Sequence, residues 1–130
     1  MPFFQHTLHL PVYPRGFHLI TSLIEREFED LRRIQVGMLH VFIQHTSASL
    51  TINENADPTV RGDFERFFSK TVRENEPYYQ HDYEGSDDMP AHLKAALLGH
   101  SVSMPITNGH LNLGTWQGIY LGEHRNHGGR

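Results

Sequence analysis

No cysteine occurs in the 130 residues. That removes disulfides, Cys-ligated zinc, iron–sulfur clusters and thiol nucleophiles, so any metal here must be held by imidazole and carboxylate. No run approaches the ~20 apolar residues of a membrane span. The opening stretch MPFFQHTLHLPVYPRG has neither a basic start nor a long apolar segment, so it does not read as a signal peptide. Both observations fit a cytoplasmic protein. Blocks of Lys and Arg are missing and the formal charge is −4, so no nucleic-acid or membrane partner is expected. Walker loop, dinucleotide fingerprint and Gly-x-Ser-x-Gly elbow are also absent. There is no repeat, linker or low-complexity tract, and the length is that of one domain, spanning 1–130.

What is abundant is histidine. There are 11, as many as Lys and Arg together, and protonating all of them would carry the formal charge from −4 to +7. Imidazole chemistry is therefore the first thing to look for.

Leu8 and Leu10 alternate with polar neighbours, which predicts a strand over 3–12, stopped by Pro11 and Pro14. Ile20, Leu23, Ile24, Phe28 and Leu31 recur at helical spacing, predicting a three-turn helix over 21–33 with Thr21 as cap. Gly37 releases the chain into a buried strand over 38–44, and 50–52 continue extended. Asp57-Pro58 starts a helix with Val60, Phe64, Phe67, Phe68 and Val72 on one side. Residues 75–87 read as loop. Asp88-Met89-Pro90 opens a short helix over 91–98, ended by Gly99. Three extended runs follow at 100–107, 110–115 and 117–123, the first two joined by the hairpin signal Asn108-Gly109. This order predicts an α+β fold: a mixed, mostly antiparallel sheet or sandwich with two to three helices.

Four groups can carry chemistry. His45, Thr46 and Ser47 stand at a strand end, where hydroxyls and imidazole can bind phosphate; a self-bonded polar turn is the ordinary alternative. His81 and His92 are separated by eleven positions with Asp87 and Asp88 between them. If the loop folds back, two imidazoles and a carboxylate suit zinc or another divalent metal, and Asp88 and His92 share a helix face. Otherwise Asp88 is a cap and His92 a first-turn surface residue. Glu54 and Asp63 can serve as base or as orienting carboxylates, or lie on solvated faces. Trp116 offers a flat surface beside Gln117, and Glu123-x-Arg125 an anion grip, or else a core ring and an exposed ion pair.

Taken together, His45-Thr46-Ser47-Ala48-Ser49-Leu50 with Asn53-Glu54, Asp57-Pro58 with Asp63, His81 with Asp88-Met89-Pro90-Ala91-His92-Leu93-Lys94, Pro105-Ile106-Thr107-Asn108-Gly109 with Leu111 and Leu113-Gly114-Thr115-Trp116-Gln117, and Glu123-x-Arg125 resemble the YjbQ-like family from about residue 17 onward. The resemblance implies a small single-domain α+β homotrimer. It also implies a weakly defined transferase activity, that of a secondary thiamine-phosphate synthase, which joins a pyrimidine-methyl pyrophosphate to a thiazole phosphate and releases pyrophosphate; many members are uncharacterised. Carried onto this chain, His45, Asp63, His81 and His92 would be catalytic. Thr46, Ser47, Trp116, Gln117, Glu123 and Arg125 would bind substrate, Arg125 through its phosphate. His45, His81 and His92 would meet around a divalent metal, zinc or magnesium, in a pocket built between subunits. The expected partners are a phosphorylated small molecule and further copies of the chain. The competing readings are a non-catalytic trimeric protein that binds a metal or phosphometabolite, and a metal-dependent hydrolase. Two departures stand out. Gly122 lies where many relatives have Cys, and the sequence given stops at Gly128-Gly129-Arg130, where the family continues in a basic, β-branched strand.

Overall fold

The computed structural model describes residues 3–129. Its elements run β1 (Pro14–Leu19), α1 (Thr21–Glu27), a 3-10 turn (Glu29–Arg33), β2 (Val36–Phe42), β3 (Ala48–Glu54), α2 (Thr59–Thr71), α3 (Asp88–Leu98), β4 (Ser101–Thr107), β5 (His110–Leu111) and β6 (Gln117–His127). The strands form two three-stranded sheets, β1-β6-β3 and β2-β4-β5. Every pairing is antiparallel, so the expected α+β sandwich carries no parallel pair among the described residues. No helix there is long and apolar enough to cross a membrane.

Period-two alternation divides the first sheet between two layers. Ala48, Leu50, Ile119 and Leu121 meet Leu39, Met104 and Ile106 of the second sheet in a core closed at one end by Ile20, Ile24 and Leu31. The opposite face carries Phe17, Ser49, Tyr120 and His124. It is covered by α2, where Phe64 and Phe68 stand 5.4 and 6.1 Å from the Phe17 ring, and by α3. On β2 the outward positions Val36, Met38, His40 and Phe42 remain exposed.

Several local expectations change. Residues 3–13 form no regular element, and β1 begins only at Pro14. Pro11 and Pro14 lack ladder N–H groups, and this arm instead lays Leu8, Leu10 and Tyr13 on the core. The helix over 21–33 breaks at Phe28 (φ −93°, ψ 81°) into α1 and the 3-10 turn. Thr21 does not cap it: its Oγ1 accepts from the Ile119 N–H at 2.8 Å and ties α1 to β6. The run over 110–115 pairs only at His110–Leu111, because Gln117 Oε1 accepts from the Gly114 N–H at 2.8 Å and holds the next residues in a turn.

Where local chemistry dominates, expectation and structure agree. Asp57 Oδ1 accepts from the N–H and hydroxyl of Thr59 (3.0 and 2.8 Å) at the start of α2. Asn108 and Gly109 both have positive φ (52° and 77°), as a two-residue hairpin turn requires. Gly99 ends α3 at φ 106°.

Candidate functional site

α3 and the end of β6 build the site. Between the pairs Gly16–Glu123 and Pro14–His127, β1 advances two residues while β6 advances four. The bulge lies beyond the end of β3 and re-aims Arg125 toward the first turn of α3. There Arg125 is 6% exposed. Nε donates to Asp87 Oδ2 at 2.9 Å, Nη1 to Asp88 Oδ1 at 2.5 Å and Nη2 to the Glu84 carbonyl at 2.8 Å. One buried cation thus faces two buried carboxylates, leaving one negative charge uncompensated. Removing one partner of such a buried pair costs about 3–5 kcal/mol.

The free oxygen of Asp88 carries that charge to two histidines. His81 Nε2 lies 2.8 Å from Asp88 Oδ2 and His92 Nε2 3.2 Å from the same oxygen. Burial raises the Asp88 pKa; the hydrogen bond from His81 and the charges of His92 and Arg125 outweigh it, leaving the carboxyl below its usual range. His92 Nδ1 is 2.9 Å from the Thr46 carbonyl. A carbonyl only accepts, so Nδ1 carries a proton, and this bond orients the ring with Nε2 toward the carboxylate. One ligand atom each from His81, Asp88 and His92 all lie within 4.8 Å of one another. Ligands on a tetrahedral zinc stand roughly 3.3 Å apart, so these three fit one ion after small movements, with a fourth position open. Two imidazole nitrogens and one carboxylate suit zinc and its neighbours better than magnesium, which prefers oxygen.

The remaining expected residues divide by position. His45 and Thr46 are exposed and line an open cleft of about 470 Å³ next to the cluster; His45 is not among the three convergent donors. The Ser47 carbonyl accepts from the His124 N–H at 3.3 Å. Glu123 Oε1 accepts from the Arg125 N–H at 3.1 Å. Arg125, read from sequence as a phosphate grip, donates to Asp87, Asp88 and the Glu84 carbonyl and holds the Asp88 carboxylate in place. Asp63 lies exposed on α2, paired with Arg66 at 2.5 Å. Trp116 and Gln117 sit at the far end of the first sheet: Gln117 pairs with Glu54, whereas Glu123 pairs with Ala48. The length of β3, about 20 Å, separates them from His81 and His92. There Gln117 shares a second cleft of about 290 Å³ with Leu19, Thr21, Ser22 and Asn55.

Asp88, for which the sequence left open a metal-side carboxylate and a helix cap, is in the structure the group that joins His81, His92 and Arg125, and its four-residue spacing to His92 was the available signal. Sequence reasoning missed the contact of His92 with the Thr46 backbone and the buried Ser49–His124 pair (2.9 Å), which no local pattern marks. Lys94, one turn beyond Ala91 on the inner face of α3, is also buried; burial and then the charge of Arg15 hold its pKa low.

A small α+β protein with a two-histidine, one-carboxylate cluster at a sheet end is the class these observations define. The chain belongs to the YjbQ-like family: the family model described as "UPF0047 protein YjbQ-like" matches residues 6–130. It is 56% identical over 126 residues to UPF0047 protein YjbQ of Escherichia coli O157:H7, covering 97% of this chain and 91% of that protein. To UPF0047 protein YugU of Bacillus subtilis it is 41% identical over 104 residues, covering 77% and 76%. Among solved structures, an uncharacterised YjbQ/UPF0047-family protein of Clostridium acetobutylicum superposes with TM-score 0.74 at 39% identity, over 88% of this chain and 90% of that one.

Proposed function

We propose that the protein is a phosphate-handling enzyme with a zinc-class ion held by His81, Asp88 and His92. One observation carries this reading. One ligand atom from each of His81, Asp88 and His92 lies within 4.8 Å of the other two, with His92 oriented by the bond from its Nδ1–H to the Thr46 carbonyl. An ion in that position would polarise a phosphoryl oxygen and offset charge on a leaving phosphate or pyrophosphate. Asp88, clamped by Arg125, would hold the charge and geometry of the ligand set. Among phosphate reactions, transfer from a pyrophosphate ester, as in thiamine-phosphate formation, is the activity we infer from the family resemblance. The separation of Trp116 and Gln117 from the cluster supports a homotrimer in which the far end of one copy approaches the near end of the next, since head-to-tail contacts close into rings.

The test is zinc titration by calorimetry on protein free of any His-tag, followed by turnover of a pyrimidine-methyl pyrophosphate with a thiazole phosphate. The wild type takes up one zinc. Asp88→Asn and His92→Ala weaken that binding at least tenfold and remove turnover with the fold intact. Equal zinc affinity in a His81→Ala/His92→Ala double variant overturns the metal assignment. Tight zinc and ligand binding without turnover favours the non-catalytic alternative.

A further inference from the structure

The cleft beside the cluster has a chemistry of its own. It is lined by Phe42, Ile43, Gln44, His45, Thr46 and His100, and no acidic residue is among them, although the chain as a whole is acidic. Two imidazoles, a carboxamide and a hydroxyl therefore supply every polar side chain there, and all four can donate hydrogen bonds. His100 is held from both sides. Its carbonyl accepts from the Ile43 N–H at 2.9 Å, and the preceding Gly99 carbonyl from the Leu50 N–H at 3.1 Å. Its ring stands 5.2 Å from that of Phe42. Six other histidines have a ring nitrogen at a protein hydrogen-bond partner, as in His6–Asp30, His18–Pro14 and His40–Ser103. Among the described residues, the ring nitrogens of His9, His45, His100, His110 and His127 have none, and of these five His45 and His100 line the cleft. Finally, the cleft and the cluster share a wall, because the Thr46 carbonyl that fixes His92 belongs to a cleft residue.

We infer that this cleft is an anion subsite in which His45 and His100, with Thr46 and Gln44, receive a phosphate group of the molecule whose reacting end reaches His81, Asp88 and His92. The inference rests on the proposed function for the second half of that statement and on the cleft's own donors for the first. His100, which no motif singled out, becomes a binding residue, and Phe42 an apolar wall for whatever the phosphate is attached to.

Inorganic phosphate is the probe, followed through the histidine ring signals by NMR on zinc-free and zinc-loaded protein in parallel. Phosphate shifts the His45 and His100 signals in both forms. His45→Ala and His100→Ala each weaken phosphate binding about tenfold, as expected for loss of one charge-assisted hydrogen bond, and leave zinc affinity within about twofold. Phenyl phosphate competes for the same signals. Phosphate that moves only the His81 and His92 rings, or binds both variants as well as wild type, overturns the inference. The zinc-free arm decides the matter even if the protein holds no zinc, so failure of the metal reading is seen separately.

Discussion

At the scale of single residues, burial separates the histidines. His92 and His81 face a carboxylate, whereas His124 is 1% exposed and its Nδ1 has no partner among the described residues. Burial, then the charges of Lys94 and Arg15, push the His124 pKa down to about 3. The unfolded chain takes up that proton near pH 6.5. Between those values the unfolded state binds more protons than the folded one, so stability rises with pH. The contribution is complete above about pH 6.5 and is lost progressively as the pH falls toward 3, at about 1.4 kcal/mol per unit. His124→Gln, whose amide can still meet Ser49, should flatten the pH dependence of the urea midpoint between pH 6 and 4 by that amount relative to wild type. Parallel curves for the two proteins would count against a neutral buried His124. Little of this was legible in the sequence: eleven histidines look alike until the fold decides which lose water.

Elements settle which residues can meet. On β6, Gly122 pairs with Ser49 on one side and Phe17 on the other. A Cβ built there would overlap Ser49 Oγ and stand 2.8 Å from the His124 ring. Gly122→Ala should therefore cost about 1–3 kcal/mol, read as a lower denaturant midpoint at unchanged m-value. In the Ser49→Ala/Gly122→Ala double variant, part of that cost should be recovered. Strictly additive effects would show that the overlap is relieved elsewhere. Elements with local signatures were legible beforehand: the Asn108-Gly109 hairpin, the Asp57-Pro58 start and the Gly99 stop. The break at Phe28 was not, because helical spacing continues through Leu31, and both halves turn their apolar residues to the same core. The task of Arg125 was hidden as well, since it depends on a two-residue bulge against a strand far away in sequence.

For the whole molecule, the surface of β2 is the informative feature. Val36 and Met38 are 89% and 65% exposed on the outer face of the second sheet. Their neighbours across the ladder, Thr107 and Pro105, are exposed as well. An apolar sheet face of this kind suits contact with another copy of the chain. In light scattering the protein should have three times the mass of one chain, and Met38→Glu should reduce it to one. A monomeric mass for wild type at micromolar concentration would remove the trimer and with it the joining of the two sheet ends. The last two sequence blocks suggested one pocket because they are neighbours in the chain, yet the extended course of β6 carries Trp116 and Arg125 to opposite ends of the same strand.

The position of β6 also governs the order in which the fold can assemble. It is the middle strand of the first sheet, pairing with β1 on one side and β3 on the other, and it follows both of them, and every other described element, in sequence. During synthesis β1 and β3 emerge with no strand between them, and the core residues Ile119 and Leu121 arrive only after more than a hundred others. Contacts this distant in sequence slow folding and leave strand edges open meanwhile. A ribosome that stalls before residue 117 therefore carries a chain whose larger sheet has no centre, and the segment that supplies Arg125 to the carboxylates also commits the chain to its native form.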